Sequence, residues 1–260
     1  MHILVFDSGL GGLTVHSEIR KLLPGVRYTY LADDAVFPYG RLSESALVDR
    51  VMEIVGHVID RDRPDIVVIA CNTASTLVLP HLRAKYAMPF VGTVPAIKPA
   101  ALVSKSRMIS VLATPGTVAR DYTRSLINEF AAGCEVTLVG CELLASIAEK
   151  KLRGIRICDA EIRPELGRAF VEHGLERTDS IVLACTHYPL LLDDFVRLAQ
   201  WPVIWIDPAP AIARRVAHLA GRLEIDERAA AMPGRAVFTS GSNPGEVLMQ
   251  ALQSRGLVAS

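Results

Sequence analysis

The chain has 260 residues, half of them hydrophobic, enough for two compact α/β units with substantial cores and too apolar for a disordered chain. Basic and acidic residues number 28 each, so no basic excess points to nucleic acid and no polybasic run points to an anionic membrane. The first apolar run ends at Asp7, no stretch approaches the roughly 18 apolar residues of a membrane span, and the five cysteines are odd in number with no CxxC pair; a cytoplasmic protein with free thiols and no ribbon-type zinc site is expected.

In chain order the hydrophobic patterning predicts a strand over 2–6, a helix over 12–23, a strand over 27–32 and a helix over 43–61. There follow a strand over 66–70, a helix over 74–85, a strand over 90–92 and a helix over 95–101. The second half repeats the alternation, with strands over 108–113, 135–140, 180–184 and 203–206. Its helices are expected over 117–130, 143–151, 163–172, 190–199 and 209–221, several opening on a Ser, Thr or Asp near a cap position. Most of the strands are unbroken apolar runs, as expected of strands covered on both faces of a mainly parallel sheet. The fold class is α/β. Residues 229–260 are the least informative.

The chain carries an internal echo. Arg63-Pro-Asp-Ile-Val-Val-Ile-Ala-Cys71 aligns with Arg177-Thr-Asp-Ser-Ile-Val-Leu-Ala-Cys185, identical at five of nine positions. Upstream, the strand before the Gly-rich 7–12 loop is matched by the strand before Thr114-Pro-Gly-Thr117. Two similar lobes follow from this, each a mainly parallel sheet flanked by helices, related by a pseudo-twofold, with an active site between them. The crossings are expected near 94–100 and 207–209, where Pro95, Pro99, Pro202, Pro208 and Pro210 cluster. Lobe one is expected to span 1–96 plus 208–260 and to carry Cys71; lobe two spans 97–207 and carries Cys185.

Ligands of open parallel sheets bind at the carboxyl ends of the strands. Cys71 and Cys185 both follow a predicted strand, and each precedes hydrogen-bonding residues, Asn72-Thr73 and Thr186-His187. One such cysteine alone reads as a small buried hydrophobe; two in the same context, on facing lobes, form a candidate site. Two thiols facing one ligand suit inversion of a stereocentre, with a thiolate removing a proton from one face and a thiol returning one to the other. Asp7-Ser8-Gly-Leu-Gly-Gly12 follows the first strand, where its glycines and the next helix let backbone approach an anion; it lacks the GxGxxG dinucleotide pattern. Pro38-Tyr39-Gly40 can present backbone N–H groups, although alone it reads as a turn. His187 is a candidate proton-transfer partner of Cys185. A zinc site built from Cys71, Cys185 and His187 is a weaker alternative, because no paired ligand motif is present. Cys134, Cys141 and Cys158 lack the strand-end context.

Phe6-Asp-Ser-Gly-Leu-Gly-Gly12, Pro38-Tyr-Gly40, Ala70-Cys-Asn-Thr-Ala-Ser75 and Ala184-Cys-Thr-His-Tyr-Pro-Leu-Leu191 resemble, in order and spacing, the signature segments of bacterial glutamate racemases, over about residues 3–220. The resemblance implies two facing α/β lobes, no cofactor, and interconversion of L- and D-glutamate for peptidoglycan. It implies that Cys71 deprotonates the D-isomer and Cys185 the L-isomer, assisted by Asp7 and His187. Ser8, Tyr39, Gly40, Asn72, Thr73 and Thr186 match its substrate-binding positions, as do Asp7 and His187; Thr114 and Thr117 fit an anion loop of the second lobe. Glu149 aligns with a family glutamate near the site. The resemblance also allows a homodimer, since members of the family are often dimers of varied arrangement. The Val94-Pro-Ala-Ile-Lys-Pro-Ala100 segment resembles that of proteobacterial members, some of which respond to a peptidoglycan-precursor activator. Two departures stand out: Ala184 replaces the usual glycine before the second cysteine, and Ser242 stands where an aspartate often closes a late segment. Another racemase activity of the superfamily, decarboxylation of an activated acid, or a non-catalytic amino-acid- or metal-binding role are the remaining alternatives.

Overall fold

The computed structural model describes residues 1–221 and 233–260. Its organisation follows from the unbroken apolar runs. β1 (His2–Asp7) is buried at all six residues, and alternate side chains enter different cores: Ile3 and Val5 pack on one face of the sheet, Leu4 and Phe6 on the other. A strand buried on both faces has no polar side to alternate with, which is why its sequence reads as continuous hydrophobics.

β1 pairs in parallel with β2 (Arg27–Ala32) and β3 (Ile66–Ile69), and β3 with β4 (Phe90–Gly92). The second sheet is built from β5 (Met108–Ala113), β6 (Glu135–Gly140), β9 (Ser180–Ala184) and β10 (Ile204–Ile206), again all parallel. The strand orders β2-β1-β3-β4 and β6-β5-β9-β10 are the same order on two scales of the chain. β3 and β9, the strands that precede Cys71 and Cys185, therefore occupy equivalent places, in agreement with the internal echo. Between β6 and β9, β7 (Glu172–His173) and β8 (Glu176–Arg177) form a small exposed antiparallel ladder.

Helices cover both faces of each sheet. α1 (Leu13–Leu22) packs on α10 (Ala209–Ala220) over one face of the first sheet; α2 (Glu44–Asp62) and α3 (Asn72–Lys85) cover the other. On the second sheet, α7 (Leu144–Leu152), α8 (Asp159–Gly167) and α9 (Leu192–Leu198) oppose α4 (Ile97–Val103) and α6 (Asp121–Phe130). Among the described residues no helix is long and apolar enough to cross a membrane.

Three expectations are corrected, and the segment about which the sequence said least acquires a structure. The single helix over 117–130 is two: α5 (Pro115–Val118), capped by the Thr114 hydroxyl, and α6, with Arg120 extended between them at ψ 135°. The helix over 163–172 sits earlier, at α8, because a capping box starts it: the Cys158 side chain accepts from the amide three residues on, and Glu161 accepts from the Cys158 N–H. A cysteine in the cap position hid that start. The helix over 190–199 opens with a 3-10 turn at Tyr188–Leu191. Finally, the late segment, of which 229–232 lie outside the described residues, contributes β11 (Gly234–Phe238), α11 (Glu246–Gln253) and β12 (Leu257–Ala259). β11 pairs with β2 and β12 with β11, so the end of the chain extends the first sheet to six strands.

Candidate active site

The first lobe offers the ends of β1 and β3. Asp7 closes β1, and its Oδ2 accepts from the Gly12 N–H at 2.9 Å, which pins the 8–12 loop at the start of α1. Cys71 lies two residues past β3 and is the N-cap of α3; its thiol donates to Ser8 Oγ at 3.6 Å. The second lobe offers the end of β9. Cys185 follows it directly, and Thr186 and His187 form the turn into the 3-10 segment. His187 Nδ1 lies 3.9 Å from Cys185 Sγ, and Thr186 Oγ1 donates to Asp7 Oδ1 at 3.2 Å across the cleft.

The glycines of the 8–12 loop serve close approach of the lobes. A Cβ at Gly9 would lie 2.5 Å from Glu149 Oε1, and one at Gly11 would lie 2.4 Å from His187 Nδ1. With no side chains in the way, the loop amides reach the other lobe: Leu10 N–H donates to Glu149 Oε1 at 2.6 Å. The anion that this loop binds is thus the protein's own carboxylate. Glu149 Oε1 is also 3.0 Å from His187 Nε2, while the Gly11 N–H points at the same nitrogen from 3.1 Å. One nitrogen cannot both donate to Glu149 and accept from Gly11. The charged partner decides in favour of a proton on Nε2, since a hydrogen bond to an ionised carboxylate is roughly twice as strong as a neutral one. Phe37 packs on the same imidazole, with centroids 5.2 Å apart.

A third wall comes from the 33–40 loop. The Tyr39 hydroxyl donates to Asp33 Oδ2 at 2.5 Å, and Tyr39 and Gly40 both line the pocket. Beside it, three hydroxyls from both lobes meet: Thr73 Oγ1 is 2.9 Å from Thr114 Oγ1 and 3.4 Å from Thr117 Oγ1, and the latter two are 3.1 Å apart.

The resulting pocket is lined by Ser8, Tyr39, Gly40, Cys71, Asn72, Thr73, Thr114, Cys185, Thr186 and His187, together with Phe37, Pro38 and Ala145. Its volume is about 20 Å³, room for about one water. A larger ligand enters only if the lobes or the 33–40 loop move. Two of the expected residues stand behind the lining rather than in it. Asp7 is fully buried under Thr186 and Gly12, and Thr117 is fully buried behind Thr114. Phe37, Ala145 and the supporting carboxylate Asp33 were not singled out in the sequence, because nothing in their local pattern marks a site. No arginine is among the lining residues. Among the described residues no group of three or more His, Cys, Asp or Glu is arranged to hold a metal ion.

Electrostatics follow from burial set against a few charged partners, chiefly His187. Burial pushes the Cys71 thiol up to about 12, reinforced by the Asp7 carboxylate and opposed by the Ser8 and Ala74 hydrogen bonds. Asp7 is itself raised by burial and by Glu149, against the pull of His187, the Gly12 N–H and Thr186. For His187, burial works downward, but the Cys185 and Glu149 hydrogen bonds and the surrounding negative charge outweigh it, so the imidazole is held well above its ordinary value. Glu149 stays below the usual carboxylate range: burial opposes this, and His187, the Leu10 amide and Arg153 prevail. The site therefore holds a proton-rich imidazole beside one thiol and a carboxylate beside the other.

Two topologically equivalent parallel sheets, each ending in a buried thiol at one shared pocket, define a protein built for two-sided chemistry on a small ligand. The chain belongs to the Asp/Glu/Hydantoin racemase family, which matches residues 15–216. Within it, glutamate racemase of Brucella anthropi is 54% identical over 256 residues, covering 98% of this chain and 92% of that protein. Among solved structures, Escherichia coli glutamate racemase in complex with L-glutamate and the activator UDP-MurNAc-ala superposes with a TM-score of 0.90 at 40% identity, covering 99% of this chain and 96% of that one. Glutamate racemase isoform RacE1 of Bacillus anthracis gives 0.81 at 26% identity, covering 99% and 96%.

Proposed function

We propose that this chain interconverts L- and D-glutamate by cofactor-independent transfer of the α-proton between two cysteines, and so supplies D-glutamate for peptidoglycan synthesis. The observation that carries the reading is that Cys71 and Cys185, on equivalent strands of two sheets, line one pocket. The substrate comes from kinship: a 54% identical relative and a 40% identical structural neighbour are glutamate racemases.

With D-glutamate between the lobes, the Cys71 thiolate removes the α-proton as the C–H bond breaks, and the electron pair delocalises into the α-carboxylate. The Cys185 thiol then gives its proton to the opposite face. L-Glutamate leaves, Cys71 is a thiol and Cys185 a thiolate; the other direction exchanges the roles. Burial and the Asp7 carboxylate oppose a Cys71 thiolate. A substrate ammonium beside them offsets both, so ionisation of this thiol is tied to substrate binding. Asp7 supports the first thiol, and His187, with its Nδ1 directed at Cys185, supports the second. Ser8, Tyr39, Gly40, Asn72, Thr73, Thr186, Thr114 and, from behind, Thr117 supply hydroxyl, amide and backbone groups for the two carboxylates.

The sheet memberships support lobes of 1–96 plus 208–260 and of 97–207. A cytoplasmic setting agrees with five free thiols. A homodimer and a peptidoglycan-precursor activator belong to the same reading; the E. coli relative was solved with UDP-MurNAc-ala. The test is proton NMR of the purified protein in deuterated buffer with L-glutamate, then with L-aspartate. Loss of the glutamate α-proton with appearance of D-glutamate, and no change in aspartate, is the expected result. Exchange of aspartate alone would overturn the substrate, and exchange of neither would overturn the reaction.

A further inference from the structure

The Asp33 carboxylate does not line the pocket, yet it is the most heavily bonded carboxylate near it. It is fully buried between β2 and the 33–40 loop. Oδ1 accepts from Arg50 Nη2 at 2.7 Å and from Thr239 Oγ1 at 2.6 Å; Oδ2 accepts from Arg50 Nε at 3.0 Å and from the Tyr39 hydroxyl at 2.5 Å. These four bonds join three distant parts of the chain: the loop that carries Tyr39-Gly40, helix α2, and the residue just past β11. Neighbouring contacts run the same way. Thr239 Oγ1 accepts from the Ala35 N–H at 3.2 Å, the Thr239 N–H donates to Ala32 O at 3.1 Å, and Ser240 bonds Asp34 through both its N–H and its hydroxyl.

We infer that Asp33 is a positioning residue, whose carboxylate straps the Tyr39-Gly40 wall of the pocket to the C-terminal strand β11, so that the end of the chain sets the shape of the substrate site. The inference rests on the function proposed above. Its logic is geometric. The Tyr39 phenol is spent on Asp33, so what Tyr39 and Gly40 can give a ligand is backbone, and backbone is placed only as well as the loop is anchored. The wall also abuts the second lobe, since a Cβ at Gly40 would lie 3.8 Å from Thr114 Cβ. A shift of the loop thus changes the distance between the two halves of the binding surface. Full satisfaction of both oxygens keeps the carboxylate ionised: burial alone would raise it, and the bonds from Arg50, Thr239 and Tyr39 bring it below its ordinary range.

Because Asp33 touches neither thiol, its loss removes binding felt equally by ground state and transition state, which appears in KM rather than kcat. The experiment measures both constants for L-glutamate, with thermal melts, in Asp33→Asn, Tyr39→Phe, Thr239→Val and the Asp33→Asn/Tyr39→Phe double variant of the full chain. Replacing one carboxylate oxygen by an amide NH2 removes the charge and two of the four accepted bonds, which predicts a KM raised by at least about tenfold in Asp33→Asn, with kcat changed by less than about threefold. Thr239→Val shifts KM the same way by a smaller factor. The double variant is less than additive, because both changes act on the same Tyr39–Asp33 contact. A lowered melting temperature with unchanged KM would make Asp33 merely structural and overturn the inference, as would a loss confined to kcat or an additive double variant. If Asp33→Asn does not fold, Thr239→Val and Tyr39→Phe decide: raised KM in both supports the strap, and unchanged KM in both refutes it. No α-proton exchange by the unmodified protein would overturn the function and the strap together, whereas normal exchange with unchanged KM in the variants overturns the strap alone.

Discussion

Substituting alanine for Gly11 tests whether the lobes must touch through bare backbone. The added Cβ would sit 2.4 Å from His187 Nδ1, 2.6 Å from Thr186 Oγ1 and 2.7 Å from His187 Cγ, where ordinary contact begins at 3.4 Å. Relief therefore needs about 1 Å of movement. His187 has little freedom to supply it, being buried, paired with Glu149 and packed on Phe37. The methyl must push the imidazole off Cys185 or wedge the lobes apart. Overpacking of this kind costs about 1–3 kcal/mol of stability, and a misplacement of roughly 1 Å in a catalytic constellation costs on the order of 10²-fold in rate. Backbone strain does not confound the result, because Gly11 is not among the glycines of positive φ. Racemisation followed by polarimetry, with a thermal melt, should show kcat/KM down about a hundredfold and a modest loss of stability. Gly133→Ala, whose Cβ would meet nothing within 4 Å, is the matched control and should behave as the unmodified protein. A Gly11→Ala variant within about threefold of normal kcat/KM would refute the claim that this contact sets the catalytic geometry.

Replacing either pocket thiol by serine, Cys71→Ser or Cys185→Ser, should reduce turnover by several orders of magnitude while glutamate still binds, because an alcohol is a far weaker acid than a thiol; calorimetric binding with near-normal turnover in either variant would remove the two-thiol mechanism. Stability should fall on the alkaline side. The Cys71 and Cys141 thiols, both pushed up to about 12 by burial, keep their protons when the unfolded chain's thiols have ionised near 9, so the folded state binds more protons and loses roughly 1.4 kcal/mol per pH unit per thiol between those values. The raised His187 acts with the same sign, from its ordinary value near 6.5 upward. Melts of Cys71→Ser across pH 8–11 should show a shallower decline, and an identical slope would contradict the assignment. Glu149→Gln keeps the shape of the contact with the Leu10 amide but removes the charge that holds the imidazole proton; about 1.5–3 kcal/mol of stability and a comparable factor in kcat/KM should go, and unchanged kinetics would show that the charge is idle.

The sequence by itself determined the fold class and the eight strands that build the two repeated sheets, and it pointed to the two thiols. Strands 27–32, 90–92, 108–113, 135–140 and 180–184 form with the expected bounds; in 108–113 and 180–184, buried at every residue, burial on both faces writes a nearly unbroken apolar run into the chain. Cys71 and Cys185 were legible because the same nine-residue pattern occurs twice and ends in the same atom type. The tertiary structure alone decided how those pieces act together. Glu149 meets the Leu10 amide across 139 residues, and Thr239 meets Asp33 across 206. Such contacts depend on how lobes and sheet edges pack, and packing leaves no period in the sequence to read. For the same reason Asp7 and Thr117 turned out to support the pocket wall from behind. The late strands β11 and β12 left too little pattern to read: β12 is three residues long and buries only the first, and its place is fixed by the backbone of the strand beside it.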